Sequence, residues 1–103
     1  WVEELLDVAS GINPQTCQPR SAVGITQDGK LVLFVCEGRE QTPDVPGMTL
    51  DQLARLMKAF GCVDALNLDG GGSSCMLING KETIKPCNKD HQQRPVATVL
   101  FAR

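Results

Sequence analysis

Asp69 closes the short apolar run Ala65–Leu68 and is followed by Gly70, Gly71, Gly72, Ser73 and Ser74, within the stretch ALNLDGGGSSCML. Consecutive glycines let the backbone take left-handed or mixed conformations that turn successive N–H groups to one side. Such a nest holds phosphate or another oxyanion. The two serine hydroxyls would add donors, although the same stretch also reads as a plain glycine-rich connection between strands. Three other readings fail on spacing. No lysine follows the glycines as in a P-loop, no G-x-G-x-x-G precedes a helix, and the strand-like segment that follows does not fit a nucleophile elbow.

Local patterns define the elements that must position this run. SAVGIT and LVLFVCE flank QDGK, whose Asp28-Gly29 pair predicts a hairpin turn between antiparallel strands. The second strand is apolar throughout, so it is expected to be covered on both faces or to be central. GREQTPDVPG reads as loop. MTLDQLARLMKAFG then predicts a helix over 49–60: Thr49 caps it, Gln52 completes a capping box, Met48 staples onto Leu53, and Gly61 suits the left-handed stop. Leu50, Leu53, Ala54, Met57 and Phe60 form its buried stripe. VDALNL follows as a strand, CMLI and KETI form a hairpin around Asn79-Gly80, KPCNKDHQQRP is a polar loop, and VATVLFA is a final strand. WVEELLDVA is read as a short helix and GINPQTCQP as loop, leaving residues 1–18 a poorly assigned N-terminal segment.

The fold class expected is therefore α+β, a mixed and largely antiparallel sheet packed by one main helix. If Leu31–Cys36 and Val63–Leu68 are parallel neighbours joined through that helix, their carboxyl ends share one sheet edge. The first hairpin brings the start of SAVGIT to the same edge. Arg20, Ser21, Glu37 and Asp69 would then converge where α/β arrangements tend to bind ligands.

Composition limits the partners. A chain of 103 residues makes one small domain with a single core. A formal charge of -2 lacks the basic excess of a general nucleic-acid binder, so any anion binding is local. The apolar runs are too short to span a bilayer. WVEELLDVAS does not read as a signal peptide, and a first residue of Trp1 reads as a processed or excerpted chain. The five cysteines form no C-x-x-C pair. Cys36 and Cys75 read as small buried thiols, while Cys17 and Cys87, in polar loops, are either free or paired with each other. No EF-hand loop or zinc ligand pattern is present, and no metal or cofactor is predicted.

RSAVGIT, GMTLDQLARLMKAFGCVDALNLDGGGSS, INGK and the late RPVATVLF resemble, in this order and at these spacings, the phosphodiester glycosidase family. The resemblance runs from about Pro19 to Leu100 and corresponds to the C-terminal half of the family's domain. The Asn-Gly-Gly motif and further strands that precede this half in the family have no match here. It implies hydrolysis of the bond between a sugar's anomeric carbon and a phosphodiester, releasing the sugar and leaving a phosphomonoester. It also implies an extracytoplasmic setting and, for bacterial members, envelope or exopolysaccharide sugar phosphates as substrates.

Under that implication each residue acquires a role. Ordinary glycosidases protonate a poor leaving oxygen with one carboxylic acid beside a second carboxylate. A departing phosphate is already a weak base, so cations and N–H donors that stabilise its charge replace much of that protonation. Arg20 and Arg94 suit this as guanidinium forks, Arg94 through its match to the family's late arginine. Ser21, Gly70, Gly71, Gly72, Ser73 and Ser74 supply neutral contacts. Asp69 is the leading carboxylate, as nucleophile or as base for water; its other reading is a turn cap accepting the glycine N–H groups. Glu37 is the second carboxylate, or an edge charge paired with Arg39. Ser73 lacks a histidine placed by any motif to activate it, and His91, the sole histidine, reads as solvated. Asp28, Asp44 and Asp51 are explained by turns and the helix start. A homo-oligomer covering an exposed sheet edge is the remaining expectation for partners.

Overall fold

The computed structural model describes residues 15–96 and 99–102. The helix expected in WVEELLDVA lies outside them. Strand β1 (Arg20–Thr26) turns through Asp28 and Gly29 into β2 (Leu31–Cys36), with Gly29 at φ 85° and a Thr26 N–H to Lys30 carbonyl bond of 2.9 Å closing the hairpin. A loop leads to helix α1 (Leu50–Ala59), followed by strand β3 (Cys62–Asn67). A single 3-10 turn, Gly71–Ser73, precedes a minimal hairpin of β4 (Leu77–Ile78) and β5 (Lys81–Glu82), and a second 3-10 turn covers Lys89–His91.

The fold class is α+β. Helix α1 starts as the sequence predicts: the Thr49 hydroxyl accepts the Gln52 N–H at 3.2 Å, the Gln52 carbonyl accepts the Thr49 N–H at 3.0 Å, and Gly61 leaves the helix at φ 86°. Leu50, Leu53, Ala54 and Met57 are its buried side chains. They pack with Ala22 and Cys62 on one face of the sheet, bordered by Val32, Phe34 and Ala65. Each large apolar side chain so buried contributes roughly 1.5–3 kcal/mol. A Cβ on Gly24 would stand 2.6 Å from Cys62 Sγ and 2.8 Å from Met57 Cε, so glycine there sets how closely the helix approaches.

Four expectations need correction. The sheet order is β2-β1-β3 with both pairings antiparallel, so there is no parallel neighbour pair. An α-helix about 10 Å across covers two strand spacings of about 4.8 Å, which lets the crossover step over β1. Strand β2 is not covered on both faces: Leu31 is 56% and Leu33 39% exposed, because α1 lies on one side only. Phe60 is 48% exposed rather than part of the buried stripe, its ring 6.2 Å from that of Phe34. The final strand expected over VATVLFA lies partly outside the described residues, at 97 and 98; no strand is present at Val96 or over residues 99–102, and Val99, Leu100 and Phe101 are exposed.

Strands β2 and β3 still run in the same direction, both opposed to β1. Arg20 pairs with Cys36, Ala22 with Asn67, and the Leu68 N–H reaches the Ser21 carbonyl at 2.8 Å. The start of β1 and the ends of β2 and β3 therefore occupy one edge.

Candidate functional site

From that edge the chain leaves β3 at Asp69 and folds back onto the start of β1. Gly70 passes so close to Pro19 that a Cβ would lie 2.8 Å from its carbonyl oxygen, and the Gly71 N–H donates to the same oxygen at 3.0 Å. Gly71 takes φ 55°, a conformation open to glycine at little cost. The turn closes with Ser73 N–H to Gly70 O at 3.0 Å and Ser74 N–H to Gly71 O at 3.1 Å. The glycine run is thus less open than a nest with all its amides free, because the turn and its anchor to Pro19 use those of Gly71, Ser73 and Ser74. The amides of Gly70 and Gly72 stand outside that set.

Side chains from distant parts of the sequence surround the turn. Arg94 donates through Nη2 to the Ser73 hydroxyl. Asn88 lies directly against Gly72, its Oδ1 the atom nearest to where a Cβ would be and its Nδ2 3.3 Å away. Arg39 Nη2 sits 3.1 Å from the equivalent position on Gly71. Arg39 is steered there by Gln18 Oε1, which accepts from Nε at 2.8 Å, and by Cys87 Sγ, 3.4 Å from Nη1. Its backbone is left-handed at φ 55°, as is that of Glu40 at φ 52°, within a loop zipped by Arg39 N–H to Pro46 O and Glu40 N–H to Val45 O bonds of 3.1 and 3.0 Å. Sequence reasoning missed Arg39 as a site residue, treating it as a partner for Glu37. Its place two residues beyond Glu37, at the end of β2, was the available signal.

The other expected residues divide. Asp69 is exposed beside the turn and has no bonding partner among the described residues. Glu37 is half-buried and accepts from the Thr42 hydroxyl at 2.5 Å rather than pairing with Arg39. Arg20 is at the edge but only 4% exposed, donating from Nε to Met48 O at 2.9 Å and from Nη2 to Thr16 O at 2.8 Å. Burial lowers its pKa from the ordinary value, opposed by the nearby Cys36 and Cys17 thiols, and guanidinium stays charged regardless. Ser21 contributes its carbonyl to the edge. Ser74 is 1% exposed, and its hydroxyl has no partner among the described residues, so it lies beneath the turn rather than on it. His91 Nδ1 is 3.4 Å from Pro86 O on an exposed turn. Cys17 and Cys87 are unpaired thiols, as are the other three cysteines. Among the described residues no group of three or more His, Cys, Asp or Glu side chains gathers in a way that could hold a metal ion.

Chemically, the edge presents two exposed guanidiniums, one hydroxyl and turn amides on one side, and a solvent-facing carboxylate on the chain that leads into the turn. In a molecule of net charge -2 this is a local concentration of anion-binding groups.

Comparisons with known proteins identify the family. Residues 5–103 match the family described as phosphodiester glycosidase. The mouse (Mus musculus) N-acetylglucosamine-1-phosphodiester alpha-N-acetylglucosaminidase is 35% identical over 88 residues, covering 79% of this chain and 16% of that protein. A prophage-derived uncharacterized protein of Bacillus subtilis is 40% identical over 63 residues, covering 61% of this chain and 10% of its own length. In three dimensions the catalytic domain of the zebrafish N-acetylglucosamine-1-phosphodiester alpha-N-acetylglucosaminidase, auto-inhibited by its pro-peptide, superimposes with a TM-score of 0.71 at 35% identity, over 81% of this chain and 28% of that one. The chain thus spans a minor part of the length of the relatives it matches, and it belongs to the phosphodiester glycosidase family.

Proposed function

We propose that this chain supplies the phosphate-binding side and a carboxylate of a site that hydrolyses a sugar 1-phosphodiester. Water adds to the anomeric carbon, the bond from that carbon to the phosphate oxygen breaks, and its electron pair leaves with the phosphate. The products are the free sugar and a phosphomonoester. Asp69 serves either as the base that takes the proton from water or as the nucleophile of a glycosyl intermediate that water then opens. Glu37 is the second carboxylate of the edge. Arg94, Ser73 and the turn amides receive the phosphate as its charge grows, and Arg20 and Ser74 hold the floor beneath them.

The observation that carries this reading is the seating of Arg94, from the late loop, on the hydroxyl of Ser73 in the glycine turn that follows Asp69 in sequence. Fixed donors aimed at developing charge act most strongly in the transition state. Phosphorus NMR of a sugar 1-phosphodiester incubated with the protein tests it. Conversion to the phosphomonoester that disappears in Asp69→Asn supports the reading, and turnover unaffected by that change refutes it.

A second reading, an inactive fragment that self-associates, is favoured by the open sheet face carrying Val23, Ile25, Leu31, Leu33 and Leu66. Apolar surface of this kind marks an interaction site. It predicts a dimer in sedimentation and no affinity for phosphosugars.

A further inference from the structure

The geometry points to Arg39 as a second phosphate-binding guanidinium on the turn that Arg94 reaches. This rests on the reading above, which assigns the turn to phosphate, but names a residue that reading does not need.

Three observations support it. Arg39 is pre-aimed: Gln18 Oε1 holds Nε and Cys87 Sγ approaches Nη1, while Nη2, the group lying over Gly71, meets no acceptor among the described residues. An oriented, exposed guanidinium with one N–H₂ unspent is a fork waiting for an oxyanion. Next, the aim depends on an uncommon backbone. Arg39 and Glu40 are both left-handed, which non-glycine residues rarely are, and such conformations cluster at ligand clamps. Finally, Arg94 reaches Ser73, two residues along the turn from Gly71, so two cations from distant segments meet the same short turn.

Two cations match the reaction's charge change. A phosphodiester carries one negative charge, and the departing monoester approaches two. A donor that is unspent in the resting site and binds the charge that develops strengthens along the reaction, and so acts on kcat more than on KM.

The experiment is a titration of the full chain with inorganic phosphate and with a hexose 1-phosphate, by calorimetry, for wild type, Arg39→Gln and Arg39→Lys, each checked for folding by circular dichroism. We expect Arg39→Gln to weaken both ligands about tenfold or more, as loss of a charge-assisted bond implies. Arg39→Lys should recover only part, because a lysine cannot form the fork. If Arg39→Gln fails to fold, the lysine variant alone decides: affinity equal to wild type counts against the inference. Phosphate affinity unchanged within twofold in Arg39→Gln overturns it, even where turnover still depends on Asp69. Arg39-dependent phosphate binding without any turnover leaves the inference standing and removes the hydrolase reading instead.

Discussion

Arg94 and Ser73, separated by 21 residues in sequence, meet side chain to side chain on the outside of the glycine turn. Their contact ties the polar loop after β5 to the turn that follows β3 and holds one cation against it. Ser73→Ala releases that tether. Since the contact is exposed, stability should change by less than about 0.5 kcal/mol. Phosphate affinity should fall about three- to tenfold, because the guanidinium must then be ordered by the ligand itself. Arg94→Gln should cost more, and the double variant should cost no more than Arg94→Gln alone. Additive losses in that cycle would show that the two residues act separately.

The glycines of the turn are not equivalent. A methyl group at Gly70 meets the Pro19 carbonyl, which is backbone and anchors the Gly71 N–H, whereas one at Gly72 meets the amide end of Asn88. Gly70→Ala should therefore destabilise by about 1–3 kcal/mol in urea unfolding, as overpacking against backbone does. Gly72→Ala should cost less in stability and act mainly on phosphate binding, by displacing Asn88. Combining Gly72→Ala with Asn88→Ala should restore the fold to near wild-type stability. A larger stability loss at Gly72 than at Gly70 would contradict this ranking.

Local rules carried the sequence reading furthest. The capping box at Thr49, the left-handed stop at Gly61 and the Asn79-Gly80 turn, at φ 52° and 77°, depend on neighbours within four residues and are found as predicted. The shared edge was expected from a parallel β2–β3 neighbour pair, which the sheet does not contain; the start of β1 and the ends of β2 and β3 still meet because both strands pair antiparallel with β1. What could not be read depends on packing between distant segments. The inward turn of Arg20 arises because residues 16–18 cross Met48, with Gln18 and Met48 exchanging N–H to carbonyl bonds of 3.2 and 3.0 Å. Arg39 reaches the turn only through the left-handed bend at Arg39 and Glu40, which no turn residue advertises. The segment expected as a final strand has a strand's composition, yet its described residues, Val96 and 99–102, pair with no neighbour in the sheet.

Arg20 offers a test that separates support from contact. Its buried guanidinium satisfies two carbonyls, of Met48 and Thr16, that belong to the segments under the site. Arg20→Met leaves those carbonyls to find other donors, and hydrogen bonds to a charged group contribute about 1.5–3 kcal/mol each. A loss of about 2–4 kcal/mol in urea unfolding is expected, with phosphate affinity of the still-folded protein within about twofold of wild type. Unchanged stability with strongly reduced phosphate affinity would instead make Arg20 a direct ligand of the phosphate.

Cys36, paired with Arg20 across the β1–β2 ladder, supplies a pH dependence. Burial raises its thiol pKa above the ordinary value, and the Arg20 guanidinium opposes but does not cancel that shift. A raised acid pKa means that the folded protein holds its proton after the unfolded chain has released it. Between the two values the folded state binds more protons, so stability falls as pH rises. The thiol's contribution is complete below the unfolded value of about 8.5 and declines above it. In reducing buffer, the urea midpoint of wild type should drop between pH 7 and pH 10 by more than that of Cys36→Ala, although the variant starts lower for lack of the sulfur's packing. Parallel pH profiles for the two proteins would mean that Cys36 titrates as it does in the unfolded chain, and that the Arg20–Cys36 neighbourhood is open to water.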